Sequence, residues 1–153
     1  MLAWHSTKKA QQWVVYEAWN GVEKTALQAF LTHVEQNAGD IYIKRPPLKK
    51  KEHKRIKKWL EQKMGLPYDP DFLIHNDKYY CSELITDAFQ AIQKQPIFGY
   101  LPMYYGDLHN KDDATAKIWI KYFKEKNMPI PQHKPGISPL GLYLNAALTS
   151  VLF

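Results

Sequence analysis

A single cysteine, Cys81, carries the strongest chemical signal in this chain of 153 residues. It lies in Tyr79-Tyr80-Cys81-Ser82-Glu83-Leu84-Ile85, where the pattern predicts the start of a helix. Leu84, Ile85, Ala88, Phe89 and Ile92 recur at helical spacing and define a buried face. Cys81 stands three and four residues before the first two of them, so its sulfur is expected on the inward side. Free backbone N–H groups and a partial positive charge at a helix N-terminus favour a thiolate. That placement suits a nucleophile facing a cleft, although a lone cysteine is also a common inert core residue.

Two further groups could act with it. Alternation over Gln12 to Ala18 places Trp13, Val15 and Glu17 on one face of a strand. A carboxylate at the end of a buried face needs a partner, whereas one at a solvated strand end does not. The segment Gly65-Leu66-Pro67-Tyr68-Asp69 precedes the cysteine and supplies a tyrosine, Tyr68.

These residues carry a resemblance. Gly65, Pro67 and Tyr68, followed by Tyr80, Cys81 and Ser82, resemble the cysteine motif of the papain-like NlpC-type amidases. The continuation Glu83-Leu84-Ile85 resembles the circularly permuted branch, the YiiX-like and lecithin:retinol-acyltransferase-like enzymes. There the histidine strand precedes the cysteine helix in the chain. The resemblance is tight from Gly65 to Ile85 and loose elsewhere, from about Trp13 to the Pro-Gly-x-x-Pro segment at Pro135 to Pro139. It implies a papain-like α+β fold, with a small antiparallel sheet packed against the cysteine helix. It further implies an amidase, peptidase or acyltransferase acting on an acyl amide or ester, and a bacterial origin. Cys81 would be the nucleophile, its own N–H serving the oxyanion. Glu17, in the matching Glu-Ala, would orient the histidine, and Tyr68 would line the site.

The histidine itself departs from the pattern. The family carries it in a Ser/Thr-His-x-Gly strand, and counting back from Glu17 lands on Leu2 or just before Met1. No such segment exists in this sequence. The expectation is therefore a chain truncated within that strand, or a shortened, catalytically dead relative. His5 is the candidate substitute, although it falls where the turn after that strand is expected. His33 and His53 read as helix-surface residues, and His75, His109 and His133 as loop residues. The implied substrate is a small acyl, lipid or peptide-like molecule. The apolar stretch Ile97 to Tyr105 is a candidate wall for its acyl group, or simply core packing.

Composition narrows the remaining classes. The length suits one domain over residues 1–153, and a 45% hydrophobic fraction is ordinary for a globular protein. One cysteine excludes an internal disulfide. No signal peptide or membrane span is visible, which leaves the cytoplasm as the default expectation. No Cys pair, His-x3-His or Gly-rich loop suggests a metal or cofactor. The net charge of +6 is concentrated in a run holding Lys49, Lys50, Lys51, Lys54, Arg55, Lys57 and Lys58. Ile56, Trp59, Leu60 and Met64 give that run an amphipathic spacing. It reads as a solvated helix face or as a site for an anionic surface. No nucleic-acid motif accompanies it, so no nucleic acid is expected. A non-catalytic module binding lipid or an anionic surface is thus the competing function.

The elements that must position these groups follow from local signals. Asn20-Gly21 predicts a hairpin into a short strand over Val22 to Lys24. Thr25 is expected to cap a helix running to Glu35. Asp40 to Lys44 reads as a strand, Lys50 to Met64 as the basic helix, and Cys81 to Lys94 as the cysteine helix. Ala114 to Lys126 reads as a helix with Ile118, Trp119, Tyr122 and Phe123 inward, begun at Asp112-Asp113. The final segment from Leu140 is expected to dock on the core.

Overall fold

The computed structural model describes residues 2–6, 12–37 and 40–150, and side chains from Trp13 onward within them. Strands β1 (Leu2–Ser6), β2 (Gln12–Ala18) and β3 (Val22–Ala26) form an antiparallel meander in that order. The Trp19-Asn20-Gly21 turn sets the register, with Ala18 opposite Val22 and Glu17 opposite Glu23. Gly21 adopts φ 131°, and a Cβ there would lie 2.9 Å from the Leu66 carbonyl oxygen. Glycine is therefore needed for conformation and for the close approach of the Leu66 segment. His5 pairs with Trp13 inside β1, not in a turn as expected.

Helix α1 (Leu27–Gln36) follows β3 without a loop. Thr25 does not cap it, because the strand runs on and pairs Thr25 with Val15; Ala26 takes the cap position without a side-chain hydrogen bond. Strand β4 is Lys44–Arg45 and overlaps the expected strand over Asp40 to Lys44 only at Lys44; it pairs with Thr149–Ser150. Helix α2 (Lys50–Lys63) buries Ile56 and Leu60 and keeps its basic residues outward or half-buried.

Helix α3 (Cys81–Gln90) is the centre of the core. It ends four residues before the expected Lys94, and its buried residues run from Ser82 to Phe89 with Asp87 alone half-buried. It packs against β2 and α2, with Tyr16, Ala18, Val22, Ile56 and Leu60 meeting Leu84, Ala88 and Phe89 in one cluster. Strand β5 (Leu101–Pro102) and helix α4 (Ala114–Glu125) follow. Asp113 caps α4 by accepting the Ala116 N–H at 2.9 Å. Ala116 and Phe123 face inward, whereas Ile118 is 67% exposed, contrary to expectation. Gly106 explains this rotation. A Cβ on it would come within 2.4 Å of the Ala116 nitrogen, so the helix docks through its smallest residue. Strand β6 (Pro135–Gly136) pairs with β5. Helix α5 (Pro139–Tyr143) buries Leu142 against the core, and β7 (Thr149–Ser150) pairs with β4.

Candidate active site

Cys81 is the first residue of α3 and is half-buried. Tyr80 precedes it in an extended conformation, φ −93° and ψ 163°, without a hydroxyl cap. The helix start is fixed instead by Glu83 at the third helical position. Its carboxylate accepts the N–H of Tyr80 and, at 3.3 Å, that of His75. The first intrahelical bond runs from the Leu84 N–H to the Tyr80 carbonyl at 3.1 Å. The N–H groups of Cys81, Ser82 and Glu83 therefore have no partner within the helix.

Three sets of hydrogen bonds fix the surroundings of this helix start, the first by tying the preceding loop to β3. In the first, the Gly65 N–H donates to the Val22 carbonyl and the Val22 N–H to the Leu66 carbonyl, both at 2.8 Å. Gly65 takes φ 82° to make this turn. In the second, Tyr68 and Tyr79 form a parallel bridge, with the Tyr79 N–H on the Pro67 carbonyl and the Asp69 N–H on the Tyr79 carbonyl. Asp69, fully buried, accepts the N–H groups of Asp71 and Leu73, at 3.1 and 2.7 Å. In the third, the Ser82 hydroxyl donates to the Ile137 carbonyl at 2.6 Å, and the Tyr80 hydroxyl accepts the Ile137 N–H at 3.1 Å. The adjacent Gly136 leaves no room for a side chain, since a Cβ would lie 2.6 Å from Met103 Cγ.

Of the residues singled out in the sequence, Tyr68 comes to the cysteine. Its hydroxyl is pushed up to about 12, mainly by burial and then by the neighbouring Cys81 charge. Glu17 is half-buried at the end of β2, beside the Ala18–Val22 pair to which the Gly65–Leu66 tether is tied. Among the described residues no hydrogen bond joins Glu17 to Cys81 or Tyr68. The backbone of His5 is opposite Trp13, four residues from Glu17, or about 13 Å along a strand. His75 lies instead on another face of α3. It lines a polar cleft of about 500 Å³ with Glu83, Asp87, Lys63, Lys78 and Trp59.

Sequence reasoning missed Glu83. It is fully buried, and its carboxyl is pushed up to about 8, first by burial and then by the Asp87 charge one turn on. One of its oxygens, Oε2, has no hydrogen-bond partner among the described residues. The available signal was its position three residues after the cap residue, where a carboxylate reaches back to the backbone. Asp87 accepts a short hydrogen bond from Tyr100, whose hydroxyl is pushed upward by burial and by that carboxylate. On a further flank of α3, Ile85, Phe89, Phe98 and Leu142 line an apolar pocket of about 230 Å³. Of the stretch proposed as an acyl wall, Phe98 reaches this pocket. Leu101 and Tyr104 are exposed, and Tyr105 is buried edge-on to Trp119.

A half-buried thiol, adjacent amides without a partner in their helix and a nearby hydroxyl are parts that acyl transfer requires. Comparison with known proteins agrees in fold. The uncharacterized protein YiiX of Escherichia coli (strain K12) is 24% identical over 137 residues, covering 90% of this chain and 65% of that protein. The chain thus spans a little under two thirds of the length of this relative. A crystal structure described as the metalloprotein YiiX of Escherichia coli O157:H7 matches with a TM-score of 0.76 at 23% identity. That match covers 92% of this chain and 76% of the other, and shows that the two share a fold. The signature of the permuted papain-like amidase enzymes extends over residues 1–152, and the chain belongs to that YaeF/YiiX, C92 family.

Proposed function

We propose that the protein is a cysteine hydrolase in which the Cys81 thiolate attacks the carbonyl of an acyl amide or ester. The observation that carries this reading is the position of Cys81, which opens a helix beside unpaired amides and beside Tyr68. A bond forms from Sγ to the carbonyl carbon, and the developing oxyanion meets the N–H groups at the start of α3. The bond to the leaving amine or alcohol breaks as an imidazolium protonates it. Water then attacks the thioester and regenerates the thiol; an alcohol or amine in place of water would make the reaction an acyl transfer.

The family carries its catalytic imidazole in a Ser/Thr-His-x-Gly strand, and Glu17 would orient such an imidazole. His5 pairs with Trp13, four residues from Glu17 along the ladder, and does not stand in that motif. Acylation of Cys81 should therefore depend on the presence of that strand.

The solved relative is described as a metalloprotein. Among the described residues no group of three or more His, Cys, Asp or Glu side chains is placed to hold a metal ion, and no step is derived through one.

The test is labelling of Cys81 by a thiol-directed acyl probe, in this chain and in a version extended by a Ser/Thr-His-x-Gly strand ahead of Leu2. Fast acylation of the extended protein, lost on Cys81→Ala, is expected. Equal, fast acylation of both would transfer the base role to a histidine of this chain. Acylation of neither would favour a non-catalytic binding module.

A further inference from the structure

Glu83 is a buried titratable group that the proposed chemistry leaves unused. It stands two residues after Cys81, fully buried, in the wall of the polar cleft beside α3. Its carboxyl accepts the N–H of Tyr80, the residue immediately ahead of the nucleophile. It also accepts, at 3.3 Å, the N–H of His75 in the loop over the helix start. One side chain therefore ties the backbone leading into Cys81 to the loop that covers it. Its second oxygen, Oε2, has no hydrogen-bond partner among the described residues.

The surroundings do not answer an ionised carboxylate at this place. Asp87, one turn on, and Asp69 in the loop face it with like charge. Tyr79, Tyr80 and Tyr100 are near enough for its charge to push their hydroxyls upward. Two lysines line the cleft, and both are engaged elsewhere. Lys63 lies over the Trp59 and Tyr79 rings, at 5.1 and 5.5 Å, and Lys78 pairs with Asp71 at 3.6 Å. The His75 ring is edge-on to Tyr100. The carboxyl therefore keeps its proton up to about pH 8. A glutamine here would make the same two bonds and never titrate, so the bonds alone do not call for an acid. What the acid adds is a charge that appears as pH rises, two residues from the thiol.

We propose that Glu83 is a positioning residue for Cys81: it holds the start of the nucleophile's helix to the covering loop, and its charge state sets the reactivity of the thiol. This rests on the reading of Cys81 as the nucleophile. The neutral acid leaves the thiolate to the amides at the start of α3, whereas an ionised carboxylate beside it opposes a second negative charge. Cys81 is thus most favoured while Glu83 holds its proton, and is damped above about pH 8.

The experiment is alkylation of Cys81 by iodoacetamide in the full chain, followed by mass spectrometry from pH 6 to pH 10. Circular dichroism checks that each variant is folded at each pH. Glu83→Gln keeps both bonds and stays neutral. It is expected to match the wild type at pH 6 and to react at least about threefold faster at pH 9, where the wild type carries the extra charge. Glu83→Ala frees both N–H groups, so amide exchange at Tyr80 and His75 is expected to rise in it and not in Glu83→Gln. Asp77→Asn removes an exposed charge from the same cleft, and its alkylation profile is expected to follow the wild type. If Glu83→Ala fails to fold, the Glu83→Gln profile carries the test. Coincident profiles for Glu83→Gln and wild type, a slower Glu83→Gln at pH 9, unchanged exchange in a folded Glu83→Ala, or an equal change in Asp77→Asn would each overturn the proposal. Alkylation needs no acyl chemistry, so the profiles can differ as expected while acyl labelling fails, and can coincide while acyl labelling succeeds.

Discussion

Helices α1 and α3 have the same length and comparable apolar periodicity, yet the fold treats them oppositely. α1 has no buried residue, whereas α3 is buried along almost its whole length. The difference lies in what surrounds them. α3 is contacted by β2, α2 and α5, and the Pro67–Asp69 and Ile137 segments are tied to the residues at its start. The main contacts of α1 are with β2 and β3, and its apolar side faces a cavity. Amphipathicity thus selects the side a helix presents, and tertiary partners decide whether that side is buried. A nucleophile gains from the first situation, because a fixed helix start keeps its amides aimed. A surface that adapts to a partner gains from the second.

The largest effect should come from the chemistry that the buried helix supports. In an upstream-extended protein, Cys81→Ala should abolish acyl-enzyme formation and lower turnover by at least roughly a thousandfold, measured by mass spectrometry and substrate release. Thermal stability should barely change, because the thiol is half-buried and small. Large loss of stability with retained acylation elsewhere would remove Cys81 from the site.

Next in size is a matched pair of truncations. Phe89 on α3 is 1% exposed and packs edge-on to Phe98 at 4.9 Å between ring centres. Phe89→Ala should cost about 3–5 kcal/mol in chemical denaturation. Phe30 on α1 is half-buried beside the cavity. Phe30→Ala should cost about 1 kcal/mol or less, since less apolar area leaves contact with protein. Equal costs would erase the contrast between the helices.

A pH series sharpens it further. The Glu83 carboxyl is raised from the model-peptide value of 4.5 to about 8 by burial and by the Asp87 charge. The folded state then holds a proton that the unfolded state releases. Its contribution is full below about pH 4.5 and is lost as pH rises through about 8. Stability should decline over that window by a few kcal/mol, at most about 5. Glu83→Gln, neutral throughout, should flatten the slope in denaturation curves taken from pH 5 to pH 9. An unchanged slope would mean that another group sets it.

How much of this was legible in the sequence depended on range. Cys81 opening a helix, the Asn20-Gly21 hairpin and the inward Ile56 and Leu60 were readable, because each rests on neighbours within a turn or two. Tyr68 reached the cysteine through a motif, not through any local rule. The burial of Glu83 was not readable: the loop from Tyr68 to Tyr80 folds over it, and a Ser-Glu pair at a helix start looks like surface. Ile118 was misplaced because Gly106, twelve residues earlier, selects Ala116 as the contact point. The strand expected from Asp40 is found at Lys44–Arg45, because a strand forms where a partner pairs with it, here Thr149–Ser150 from the far end of the sequence.

The smallest predicted effect tests the loosely held helix through its cap. Thr25 has the side chain a helix start prefers, but the ladder places it opposite Val15, one residue too early. The cap position falls to Ala26, whose φ −60° and ψ 136° suit a capping residue and whose methyl accepts no hydrogen bond. The first turn of α1 also lacks an acidic residue, so its N–H groups and dipole are unanswered. Ala26 is exposed and opposite Val14, so a small polar side chain enters no packed space. Ala26→Ser or Ala26→Asp should therefore raise stability by about 0.5–1 kcal/mol. The gain should appear as slower amide hydrogen exchange in the first turn of α1 and leave exchange in α3 unchanged. Neutral or destabilising substitutions would mean that the helix begins at Thr25 after all. The contrast with α3 would then rest on packing alone, with no part played by the missing cap.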